Sequence, residues 1–207
     1  VLSAKILNGI KATLDGSDPH SLFTQLYGNW ATDARSWTGK AVTHSARKNT
    51  SRHDPSLGTF SVETSITGAH PDVIFYDDPI SYERLTTDTN WLATVNSQIT
   101  SLFPVVQSDG LVIWVGTRYD ANDHFGVAFR GEGIKSLTGM ATDSLIERES
   151  GKWHVYFMAG RDKDGAPTSK IWNEKRLIAF EERDPFRYAS QIMNDPNLSE
   201  TNPITQA

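Results

Sequence analysis

The sequence contains no cysteine, which excludes disulfide staples and thiolate metal sites and makes a reducing compartment the mild preference. No apolar run approaches the roughly 20 residues that a membrane span needs. A glycine-rich phosphate loop of the form G-x-x-x-x-G-K-[ST] is missing as well. The only Gly-Lys pairs are Gly39-Lys40, followed by alanine, and Gly151-Lys152, followed by tryptophan; neither has a glycine five residues earlier. Positive charge is not in excess either. The net charge is −5 and the pI is near 5.7, so no global basic field favours nucleic acid, and any DNA contact needs a local patch. There is no internal repeat, no low-complexity segment, no initiator methionine and no charged-then-apolar leader.

What is present fits one α/β domain: 207 residues suffice for a core, and 38% hydrophobic residues suit a soluble globular chain. Leu2, Ile6, Ile10 and Leu14 recur every four residues, which predicts an opening helix with one apolar face. Asp18-Pro19 reads as an N-cap with proline at the first helical position, and Gly28 ends that short helix. Ala41 to Ala46 and Thr59 to Thr64 read as strands around turn residues from Asn49 to Gly58. Val73 to Tyr76 and Leu111 to Val115 are continuously apolar strands. Between them Trp91, Val95, Ile99 and Leu102 mark an amphipathic helix. Strands apolar on both faces and separated by helices imply a parallel sheet covered on both sides. Asp120 is placed to cap the following helix, Lys152 to Met158 is a further strand, and Asn173 and Asp184-Pro185 open two final helices. Residues 130–170 form a possible lid or subdomain within a domain spanning 1–195. The polar, proline-containing end (NDPNLSETNPITQA) reads as a linker or tail, assigned to 196–207. Together the two ends suggest a fragment cut from a longer protein.

The stretch DVIFYDDPI raises the chemical question, because an apolar strand ends in two carboxylates, Asp77 and Asp78. Ligands of open parallel sheets bind beyond the carboxyl ends of the strands. Adjacent acids there suit a magnesium nucleotide site, where one carboxylate holds Mg²⁺ and the next orients or deprotonates water. The same Asp-Asp-Pro also serves as a turn or a helix cap. At the end of the neighbouring apolar strand stand Gly116, Thr117, Arg118 and Asp120. A hydroxyl and a guanidinium there suit γ-phosphate sensing, and a strand-to-helix turn with a surface arginine is the plain alternative. Arg35, Lys40, Arg47, Lys48 and Arg52, with Trp30 and Trp37 nearby, form the densest basic stretch. They could contact DNA or form a solvated face with two partly buried tryptophans. The EKR and EER runs between Glu174 and Arg183 read as the exposed side of a helix.

The order GAHPDVIFYDDPIS, an amphipathic helix, then GLVIWVGTRYDANDHFG resembles the ATPase domain of the large terminase subunit of tailed bacteriophages. LFTQLYGNW, LGTFSVETSITGAHPD and KIWNEKRLIAFEERDPFRYASQIMNDP extend that resemblance over nearly the whole chain. It implies part of a P-loop NTPase-type, mostly parallel sheet with flanking helices, lacking the P-loop strand. It also implies that Asp77 is the Walker B aspartate on Mg²⁺ and that Asp78 is the carboxylate activating water, where many members carry glutamate. Gly116, Thr117 and Arg118 fall on the coupling motif, and His70 lies in a G-x-H-x-D stretch before the strand as a secondary candidate. The implied activity is ATP hydrolysis driving double-stranded DNA into a procapsid in the bacterial host cytoplasm. The implied partners are the portal protein and the small terminase subunit, with a homo-oligomeric ring, no membrane, and a nuclease domain downstream. Two other readings stay open. One is a metal-dependent nuclease or phosphohydrolase using Asp77, Asp78, Asp120, Asp123 and His124. The other is a non-enzymatic module that binds partners or DNA.

Overall fold

Two apolar strands organise the middle of the chain, β4 (Val73–Asp77) and β5 (Leu111–Val115), paired side by side in a two-stranded parallel sheet. In the computed structural model the described residues are 2–49, 51–64, 66, 68–120, 122–131, 142–148 and 151–195. They form a mixed α/β structure of two units, one comprising 1–77 and 101–113 and the other 78–100 and 114–207. Among the described residues, no helix is long and apolar enough to cross a membrane.

The first unit begins with α1 (Leu2–Asp15) and α2 (Phe23–Tyr27). The predicted α1 forms, but a different face is inward. Leu7 is buried, with Ala4, Lys11 and Leu14 half-buried beside it, whereas Ile6 and Ile10 are exposed. Four-residue spacing drifts around a 3.6-residue helix, so a neighbouring stripe packs better. Asp18 does not cap α2. Its carboxylate accepts the His20 amide in a local turn, and the Ser21 hydroxyl accepts the Phe23 amide instead. Gly28, with φ 78°, ends the helix as expected.

A short antiparallel meander follows: β1 (Ser36–Trp37), β2 (Ala41–Thr43) and β3 (Leu57–Gly58), with Val42 buried against Trp37 and Leu57 in register. Residues 59–64 do not form the expected strand; β3 takes its place two residues earlier. Arg52 fixes the approach to β4, because its guanidinium bonds both carboxylate oxygens of Asp72 (3.0 and 2.7 Å) and the His70 carbonyl.

The second unit holds α3 (Tyr82–Thr87) and most of α4 (Trp91–Leu102), where Trp91, Val95, Ile99 and Leu102 are all buried as the periodicity predicts. It continues with α5 (His124–Gly131), the antiparallel hairpin β6 (Thr142–Arg148) and β7 (Gly151–Phe157), then α6 (Glu174–Arg183) and α7 (Pro185–Arg187). A single π-helical turn, Tyr188–Ile192, closes the sequence of elements. Asn173 and Asp184 cap α6 and α7 as predicted, accepting the Arg176 and Arg187 amides. Leu177, 0% exposed, packs with Phe157, Ala159, Tyr188 and Met193. The charged EKR and EER side chains lie outward, although Glu174 pairs with Arg161 at 2.7 Å. Part of the predicted lid, 132–141 and 149–150, and the tail 196–207 lie outside the described residues.

The expected parallel sheet with flanking helices is present on a small scale. Among the described residues the only parallel pairing is β4 with β5, and Val73, Phe75, Leu111 and Val115 stay exposed. Continuous apolarity signals a strand but does not say how many neighbours cover it.

Two glycines give a direct check on this packing. At Gly110 an added Cβ would lie 2.5 Å from Val106 Cγ1 and 2.8 Å from the Asp72 carbonyl, whereas at Gly9 in α1 it meets open space. Gly110→Ala is expected to lower unfolding stability by about 1–3 kcal/mol. Gly9→Ala should raise it by about 0.5–1 kcal/mol. Urea titration of each variant measures both.

Candidate functional site

The backbone turns sharply where β4 ends. Asp77 closes the strand and Asp78 takes a left-handed conformation, φ 45°, which aspartate tolerates better than most side chains. The Asp78 amide still donates to the Val115 carbonyl at 2.9 Å, so it remains bonded to the end of β5 after β4 has stopped. Pro79 follows, Ile80 is fully buried and anchors the exit, and Ser81 caps α3 by accepting the Arg84 amide. Both carboxylates therefore stand exposed at the carboxyl end of the strand, where the sequence places them.

Gly116 begins the loop beyond β5 and abuts this turn. A Cβ there would sit 3.4 Å from Asp78 Oδ1 and 3.4 Å from the Phe125 ring, so the carboxylate lies directly over the Gly116 backbone. Thr117 is half-buried beside it. The structure thus brings Asp78 and Gly116 together. His70 is exposed, and its backbone is what the fold uses: the amide donates to Asp54 Oδ2 (3.2 Å) and the carbonyl accepts from Arg52 and from Gln107 (3.4 Å).

Arg118 is committed to a neighbour. Its Nε donates to both oxygens of Asp123 (3.1 and 3.0 Å) and its Nη2 to the Asp120 carbonyl (3.3 Å). The Asp123 carboxylate, 0% exposed, also accepts the Tyr119 amide (3.2 Å) and the Gly126 amide (2.7 Å). Asp123, rather than Asp120, is therefore the cap of α5. Asp120 is buried with its own carboxylate on the Asn122 amide. Burial pushes the Asp123 carboxyl up from its ordinary value, and Arg118 with the Gly126 amide pulls it back.

Tyr119 is a site residue that sequence reasoning missed. Its ring is buried and its hydroxyl is 3.5 Å from Gln191 Nε2. Burial and the nearby Asp78 charge push its phenol up from the ordinary value. A tyrosine four residues beyond a strand carries no local signal of such a place.

The alternative metal set does not assemble. Among the described residues no three His, Asp or Glu side chains converge to hold an ion. Asp123 spends its oxygens on Arg118 and α5, and His124 is buried among aromatic rings, 5.6 Å from Trp114 and 4.2 Å from Phe125 between centroids. Two cations of the basic stretch are also used internally, Arg52 on Asp72 and Arg47 on the Asp54 carbonyl. Trp30 lies tilted against His44 and Trp37 bonds Asp15, both half-buried as the plain reading has it.

The chain matches no protein-family model, no curated protein and no solved structure.

His124 supplies a pH test. It is 2% exposed, and neither ring nitrogen has a hydrogen-bond partner among the described residues. Burial, helped by the Arg118 charge, drives its pKa from 6.5 down to about 3. The unfolded chain therefore binds the proton more tightly, and stability falls as pH drops below 6.5 toward 3. At pH 5 the loss from this group is about 2 kcal/mol. His124→Phe should reduce the difference in unfolding free energy between pH 7.5 and pH 5 by about that amount. Urea titrations at the two pH values measure it, and an unchanged difference contradicts the assignment.

Proposed function

We propose that this chain is part of a viral DNA-packaging motor, the Walker B and coupling-motif region of a large terminase subunit whose ATP hydrolysis drives double-stranded DNA into a procapsid. The observation that carries the reading is the contact between Asp78 and Gly116. It sets an exposed carboxylate from the end of one parallel strand against the polar loop at the end of the next. That arrangement suits phosphoryl transfer, whose demands are positioning and charge stabilisation at strand ends.

In this reading Asp77 would hold Mg²⁺, which would offset phosphate charge, and Asp78 would orient the attacking water and take its proton. Gly116 lets the Asp78 carboxylate sit close against the loop, and the Thr117 hydroxyl senses the γ-phosphate. His70 contributes through its backbone, which steadies the entry to β4. Arg118 plays a different part from the one its position in the coupling motif implies. With its guanidinium on Asp123 it shapes the loop, and it reaches a phosphate only by exchanging partners. Portal and small-subunit partners, a subunit ring, a downstream nuclease and action on the procapsid in the host cytoplasm belong to the same proposal. The lysine and amides of a P-loop must come from outside these 207 residues, since no such motif occurs within them. That fact also supports a second reading, in which this segment alone binds partners or DNA without turnover.

The test is mutational, in the intact parent protein. Asp78→Asn should cut turnover about 100-fold or more while Mg-ATP affinity changes little, because an amide cannot take a proton from water. Asp77→Ala should abolish magnesium-dependent hydrolysis and packaging. Steady-state ATPase rates beside nucleotide titrations measure both, and normal turnover in Asp78→Asn removes that residue from its role.

A further inference from the structure

Asn194 has a left-handed backbone, φ 54°, immediately after the π-helical turn. Asparagine commonly ends a helix this way, and glycine does so at least as easily. What glycine cannot supply is the side chain, and here both ends of the amide are used. Its Oδ1 accepts the Arg118 backbone amide at 3.2 Å, and its Nδ2 donates to the Met158 carbonyl at 2.9 Å. One partner lies 76 residues back in the chain and the other 36. The partners fix the amide orientation, since one is a donor and the other an acceptor. Of the side chains of this size, only the asparagine amide satisfies both.

Neighbouring bonds reinforce the junction. The Gly160 amide donates to the Ile192 carbonyl at 2.7 Å, with the two residues so close that a side chain on Gly160 would run into Ile192. Gln191 reaches the Tyr119 hydroxyl, and the Asp195 amide donates to the Ala189 carbonyl at 2.9 Å. The segment read from sequence as the start of a linker is therefore built into the fold at Asn194 and Asp195, the latter buried.

We propose that Asn194 is a positioning residue, a clamp that holds the Gly116–Arg118 loop to the Tyr188–Ile192 turn and to the end of β7. Any shift of that loop is then transmitted to residues 188–195. That the loop responds to phosphate rests on the function proposed above; the clamp itself does not.

The experiment compares the 207-residue chain with Asn194→Gly and Asn194→Asp by residue-resolved amide hydrogen exchange. Glycine keeps the left-handed backbone and deletes both side-chain bonds. Aspartate keeps an acceptor for Arg118 but opposes the Met158 carbonyl. The clamp predicts about three- to ten-fold faster exchange at Arg118 and its neighbours in Asn194→Gly, with the α6 amides unchanged. It predicts near-normal Arg118 protection in Asn194→Asp, with faster exchange confined to 158–160. Equal Arg118 protection in wild type and Asn194→Gly overturns the proposal. So does faster exchange spread evenly through residues 78–195, the mark of a general stabiliser. In the parent protein Asn194→Gly should lower the kcat for ATP hydrolysis several-fold with KM unchanged. If the wild-type parent hydrolyses no ATP, the motor reading fails while the exchange data still decide the clamp.

Discussion

A carboxylate with no exposure to water has to be compensated on every side, and Asp123 is compensated by Arg118 and by the Tyr119 and Gly126 amides. Those bonds fix the path of the chain from the end of β5 to the start of α5. They turn the Arg118 guanidinium onto Asp123, set Tyr119 inward and begin the helix at His124. Removing one member leaves an uncompensated buried charge, so the group acts as a unit. The loop that carries Gly116 and Thr117 owes its shape to this pair.

The fixed loop gives the exposed acids their setting. Asp78 bonds the end of β5 through its backbone while its carboxylate rests against Gly116. Its charge is felt by the Tyr119 phenol, which in turn meets Gln191 of the π-helical turn. A line of contacts thus runs from the carboxylate proposed to activate water, through the strand-end loop, to the turn held by Asn194.

Much of the fold is legible wherever one local rule decides. The four buried residues of α4, the two apolar strands and the caps at Asn173 and Asp184 follow from periodicity and side-chain chemistry within a few residues. The placement of Asp77 and Asp78 at a strand end follows as well. Legibility fails where a distant partner decides. Asp120 and Asp123 are both credible caps, and Arg118 selects the second. The inward face of α1 is set by what packs on Leu7, not by the most regular apolar stripe. Arg52 and Arg47 look like a surface patch until Asp72 and the Asp54 carbonyl claim them. Asn194 reads as a tail because its partners lie 76 and 36 residues away.

The account stands or falls on whether the strand-end acids belong to a nucleotide site, and such a site needs a phosphate loop. The most direct measurement is to read the coding sequence on both sides of this segment. The motor account predicts an in-frame G-x-x-x-x-G-K-[ST] upstream and a cluster of acids downstream. A start codon immediately before Val1, with no phosphate loop encoded nearby, contradicts it and leaves Asp77 and Asp78 as acids of a binding module.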